Sequence, residues 1–129
     1  MSAPDWTDVC ALDAIVEDTG VCALVGGHQV AVFRLRDGTL HAIDNLDPFT
    51  GAAVLSRGIV GDRGGVPKVS SPLHKQSFDL RTGSCLDDEA VRVSVHAVRV
   101  HDGRVQVAVL RAGAQDAVGA MPSVATSSR

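Results

Sequence analysis

The 129-residue chain has no paired-cysteine pattern: Cys10, Cys22 and Cys85 are odd in number and widely scattered. That excludes a disulfide framework and a Cys-x-x-Cys metal site, and the three are read as reduced packing thiols. Excess positive charge is also missing, since the formal net charge is −3. Nothing here supplies a broad positive field for nucleic-acid phosphates or anionic lipid. Apolar runs are broken by Arg, His, Asp or Gly within a few residues, far short of the roughly 20 apolar residues of a membrane helix. The start, Met1-Ser2-Ala3-Pro4-Asp5, lacks a basic region followed by an apolar one, so a soluble cytoplasmic protein is expected. No glycine-rich phosphate loop, nucleophile elbow or helical histidine pair occurs. The acidic residues sit on unrelated turns, which leaves no identifiable carboxylate pair for acid–base catalysis.

What is present is the pattern of short antiparallel strands. From Val21 to Leu110, valine-rich segments alternate apolar and polar residues with a period of two. Gln29 to Arg36 and Thr39 to Ile43 flank Asp37-Gly38, a dipeptide suited to a tight two-residue hairpin. Asp102-Gly103 joins Val98–His101 to Arg104–Val109 in the same way. Val91, Val93 and Val95 keep one phase that slips at Ala97-Val98, which predicts a bulge or a change of sheet. Asp44 to Ser71 is rich in Gly, Pro, Asp and Ser and reads as mostly loop, with strand fragments only at Ile59-Val60 and Lys68-Val69. Long loops in compact domains tend to be functional, so the chemistry is sought there. The length fits one domain. Residues 1–112 are assigned to it, and 113–129 to a mobile tail with little to bury. The expected class is all-β, a small sandwich or barrel.

The segment Ser71-Pro72-Leu73-His74-Lys75-Gln76-Ser77-Phe78-Asp79-Leu80-Arg81-Thr82-Gly83 resembles the second cluster-binding loop of Rieske proteins, Cys-Pro-x-His-Gly-x-x-Phe-Asp-Leu-x-Thr-Gly. Asp44-Asn45-Leu46-Asp47 follows the first hairpin where that family has its first loop, Cys-x-His-x-Gly. The resemblance implies a Rieske-like fold over roughly residues 6 to 110. It places Asn45, Asp47, Ser71 and His74 at the four ligand positions. A Rieske centre takes two thiolates and two imidazoles, and of these four only His74 qualifies. Glycines of the family pattern are replaced by Phe49 and Lys75. Cys10 and Cys22 precede the hairpin and Cys85 follows the loop, so none is expected to serve as a substitute ligand.

With these replacements the chain resembles the small subunit of assimilatory NAD(P)H-dependent nitrite reductase. The wording that carries this is Asp44-Asn45-Leu46-Asp47-Pro48-Phe49, Leu55-Ser56-Arg57-Gly58-Ile59-Val60-Gly61-Asp62 and Ser70 to Leu80. The resemblance implies a chain with no cofactor and no active site of its own. Its partner would be a large subunit carrying FAD, siroheme and an iron–sulfur cluster, on which nitrite is reduced to ammonia. Arg57, His74, Lys75 and Gln76 are candidate docking residues. His74 is otherwise an electron-path residue, a lone metal ligand or an ordinary loop histidine. A carboxylate–imidazole contact between Asp47 and His74 is expected to hold the loops together, whereas serine and asparagine are poor anchors for a mononuclear metal. Trp6 is expected to anchor the first strand, and His28, His41, His96 and His101 to be surface or satisfied structural residues. Two other readings stay open: a Rieske ferredoxin-type electron carrier, and a degenerate Rieske-fold binding module.

Overall fold

A computed structural model describes residues 5–73 and 75–109. Nine strands form two antiparallel sheets. The strands are β1 Thr7–Ala11, β2 Thr19–Val25, β3 His28–Arg34, β4 Leu40–Asp44, β5 Ile59–Arg63, β6 Val66–Ser70, β7 Ser77–Asp79, β8 Val95–His101 and β9 Arg104–Ala108. The larger sheet runs β1-β9-β8-β4-β3-β2 and curls into a nearly closed barrel; the smaller runs β5-β6-β7. Short 3-10 turns follow β1 (Leu12–Ala14) and precede β5 (Leu55–Arg57).

Strand β3 explains the packing. Its side chains alternate between two cores, with Val30 and Val32 inside the curled sheet and Ala31 and Phe33 facing the smaller sheet. All four are fully buried, as a strand covered on both faces requires. The core facing the smaller sheet, the first core, adds Ile43, Leu55, Val69, Phe78 and Leu80 to Ala31 and Phe33; the core inside the curled sheet, the second, adds Ile15, Ala42, Val98, Val105 and Val107 to Val30 and Val32. The phase slip at Ala97-Val98 is where β8 changes partner. Val95 and His96 pair with β4, and Ala97 to His101 pair with β9. Val93 and Val95 accordingly belong to the first core and Val98 to the second.

Two sequence expectations need correction. Asp37-Gly38 does not form a two-residue turn. Leu35 N–H bonds to Thr39 O at 2.9 Å and Gly38 N–H to Leu35 O at 2.9 Å, which encloses a three-residue loop with only Gly38 left-handed (φ 92°). The Asp37 carboxylate accepts from Thr39 N–H and O–H, and so favours that wider loop. By contrast Asp102 (φ 52°) and Gly103 (φ 74°) are both left-handed between the paired His101 and Arg104, the tight turn expected. The second correction concerns the strand fragments within residues 44–71. Ile59-Val60 and Lys68-Val69 are parts of longer strands, β5 and β6, which pair as a hairpin across Gly64-Gly65, while most of the segment is loop. Exposed Ile59 and Arg63 share a face with half-buried Gly61, which dilutes the apolar alternation that reveals a strand in sequence. The tail assigned to 113–129 lies outside the described residues.

Candidate functional site

Strand β4 ends at Asp44, and the chain then makes a tight excursion before returning into the Leu55 turn. Leu46 bridges Ala53, Asp47 N–H bonds to Ala52 O at 2.8 Å, and Gly51 N–H bonds back to Asp47 O at 2.6 Å. Between β6 and β7 a second short loop closes on itself, with Ser71 N–H to Gln76 O at 2.8 Å and Lys75 N–H to Ser71 O at 3.0 Å.

These two loops meet. Ser71 Oγ donates to Asp47 Oδ2 at 2.5 Å, while Phe49 N–H donates to Asp47 Oδ1 at 2.8 Å. Asp47 and Ser71 are both buried. A hydroxyl-to-carboxylate bond this short is of the charge-assisted kind, strongest where water is excluded. The ring of Phe49 leans on Phe78 of the first core, with centroids 6.4 Å apart. Both Asp47 oxygens are thus engaged without an imidazole, and the Asp47–His74 contact lies outside the described residues, as does the structure around His74.

Asn45, also buried, is an internal brace. Its Oδ1 accepts from Ser56 N–H at 2.7 Å, its carbonyl from Leu55 N–H at 3.0 Å, and its Nδ2 donates to Cys22 Sγ at 3.3 Å and Gln29 Oε1 at 3.4 Å. Chain order therefore misleads about Cys22. Pairing of β2 with β3 carries its thiol to the first ligand position, where it serves as a hydrogen-bond partner of Asn45. Sequence reasoning had no periodicity signal with which to find this contact. No group of three or more His, Cys, Asp and Glu able to hold a metal gathers among the described residues.

Lys75, at a glycine of the family pattern, has φ 65°, so the left-handed backbone persists under a side chain that disfavours it. Lys75 and Arg57 are exposed; Gln76 is half-buried, and its Oε1 is buried with no hydrogen-bond partner among the described residues. Phe78-Asp79-Leu80-x-Thr82-Gly83 is a structural run. Phe78 and Leu80 enter the core, and Asp79 takes the Arg81 guanidinium at 3.1 Å. Gly83, left-handed at φ 81°, lies where an added Cβ would be 2.1 Å from the Val93 carbonyl oxygen. Burial raises the Asp79 carboxyl, but hydrogen bonds and charge from Arg81 outweigh it and hold it below the ordinary range.

Away from the loops, the buried His96 meets Asp44 Oδ1 at 2.7 Å across the β4–β8 seam. Burial acts to raise the Asp44 carboxyl, yet hydrogen bonds and charge from His96, with Ser94 N–H, leave it below its usual value. Trp6 lies under the Arg99 guanidinium of β8, 4.3 Å from carbon to ring centroid.

A small domain of two antiparallel sheets, with paired loops facing each other between β4 and the Leu55–Arg57 turn and between β6 and β7, is the architecture of one protein class. Residues 5–108 match the model of the Rieske-like [2Fe-2S] domain, and the chain belongs to that family. Within it the chain stands with the nitrite reductase (NADH) small subunits. It is 47% identical to that of Escherichia coli strain K12 over 103 residues, 79% of this chain and 95% of the other. The crystal structure of a Mycobacterium tuberculosis chain assigned as an NADH-dependent nitrite reductase small subunit superposes with a TM-score of 0.82 at 54% identity, covering 85% of this chain and 99% of that one. The nitrite reductase [NAD(P)H] large subunit of Klebsiella oxytoca also matches, at 45% identity over 102 residues, 79% of this chain and 11% of the large subunit.

Proposed function

We propose that the chain is the accessory small subunit of an NAD(P)H nitrite reductase and that its two loops hold no cluster. The carrying observation is the 47% identity to a small subunit of which the chain spans 95%. Nitrite is reduced to ammonia on the large subunit, which carries siroheme, FAD and its own iron–sulfur cluster; the small subunit contributes no reacting group. The residues at the ligand positions do not fit a [2Fe–2S] centre. They offer an amide and a hydroxyl in place of the two thiolates and a carboxylate in place of one imidazole. Asp47 and Ser71 oxygens 2.5 Å apart leave no space for iron and sulfide between the loops. The Asp47–Ser71 bond does mechanically what a cluster does in other members, holding one loop against the other. Arg57, His74, Lys75 and Gln76 belong to the docking region, and the complex is cytoplasmic. Among the described residues no helix is long and apolar enough to cross a membrane.

The test has two arms. Purified protein incubated anaerobically with ferrous iron and sulfide, then desalted, is expected to stay colourless in the visible. A bound chromophore at one per chain would return the reading to an electron carrier. In the second arm, affinity-tagged chain is expected to retain the siroheme-containing large subunit from the same cell and to raise its NAD(P)H-dependent nitrite reduction. Failure to bind it would favour a free-standing binding module.

A further inference from the structure

We infer that Leu46, Phe49 and Leu73 form the apolar centre of a docking face for the nitrite reductase large subunit. This deepens the subunit reading and rests on it. Six large apolar side chains are exposed among the described residues: Val16, Leu24 and Ile59 lie on separate elements, whereas Leu46 (47% exposed), Phe49 (38%) and Leu73 (49%) all lie on the two loops. The Asp47–Ser71 bond ties those loops together, and Phe49 N–H and Leu73 N–H bond to the same two side chains at 2.8 and 3.3 Å. Phe49 and Leu73 are fixed to the two partners of one buried hydrogen bond and Leu46 is the chain neighbour of Asp47, so the three are presented already ordered and a partner meets them with little loss of conformational freedom. Clustering of exposed apolar groups on an otherwise polar surface is the mark of an interface centre.

Charge selects the partner. Residues 45–56 contain one acid, Asp47, which is buried, and residues 71–76 contain none, although the whole chain carries 15 acids and a net charge of −3. The exposed charges beside this apolar centre are the cations Lys75 and Arg57. The complementary surface is therefore apolar with carboxylates at its margin. A second copy of this chain does not offer one, because a two-fold contact would bring like cations together. The Klebsiella oxytoca large subunit carries a stretch 45% identical to this domain within its own chain, which places the domain with the rest of that subunit as its constant neighbour.

The experiment measures affinity of full-length chain for immobilised large subunit by biolayer interferometry. Leu46→Ser combined with Leu73→Ser is expected to weaken binding by about tenfold or more, the effect of removing two interface anchors. Leu24→Ser and Ile59→Ser, more exposed but elsewhere, are expected to change it less than about twofold. Circular dichroism melting within a few degrees of the parent shows that the double variant folds, and Lys75→Glu, which touches no core residue, supplies an independent loss of binding. Undiminished affinity of both tip variants while the parent binds overturns the docking face and leaves the subunit reading intact. A parent that does not bind the large subunit overturns both. Concentration-dependent dimers in sedimentation that the tip variants abolish would reassign the face to a second copy and overturn the proposal.

Discussion

Ser71 and Asp47 form a buried side-chain contact that ties the two loops together. Ser71→Ala removes the 2.5 Å donor and leaves a buried carboxylate with Phe49 N–H as its remaining hydrogen-bond donor. Stranding a buried charged acceptor costs about 2–3 kcal/mol, and urea unfolding of the variant is expected to report a loss of that size. Ser71→Thr, which keeps the hydroxyl, should retain more stability than alanine. The residue scale is also where chain order gave least guidance. Asn45 and Ser71 look like degraded ligands in the sequence, yet Asn45 joins β2, β3 and the Leu55 turn through its amide and carbonyl oxygen. Its side-chain partners are 11 to 23 residues away, and no local rule connects them.

Elements carry the titration behaviour. His41 sits on the β3–β4 hairpin, where burial holds its imidazole below the usual histidine value even though Asp37 and the Leu80 backbone act in the opposite direction. The unfolded chain therefore binds a proton at His41 more readily than the folded one. Stability is expected to fall as pH drops from about 6.5 toward the lowered folded value and not to fall further on this account below it. Asp44 on the β4–β8 seam has the opposite chemistry and the same direction. Its carboxyl is held below the ordinary range, so its contribution is present above about pH 4 and is lost as pH falls through its folded value. Urea midpoints measured at pH 7, 5.5 and 3.5 should separate the two: His41→Gln flattens the upper step and Asp44→Asn the lower. The hairpins show how local sequence decides and where it stops. Asp102-Gly103 makes the expected two-residue turn, while Asp37-Gly38 makes a wider one because Thr39 offers the Asp37 carboxylate two donors.

At the scale of the whole molecule, the two cores share β3, so neither sheet keeps its interior without the other. Val30 and Val32 fill one side and Ala31 and Phe33 the other. Unfolding is expected to be one cooperative transition, with Trp6 fluorescence, which senses the larger sheet through Arg99, coinciding with far-ultraviolet circular dichroism. Separated midpoints would mean that the smaller sheet melts alone. By itself the sequence determined the β class, the positions of both Asp-Gly hairpins, the place of the pairing irregularity at Ala97-Val98, and the identity of the paired loops. Those features depend on residue type and short-range periodicity, which act between near neighbours. The tertiary structure alone decided that Cys22 reaches Asn45, that Asp47 takes its proton donor from Ser71, and that the loops carrying Leu46, Phe49 and Leu73 are tied together. Those contacts join segments separated by many residues, and only the closure of the sheets brings them within hydrogen-bonding or packing distance.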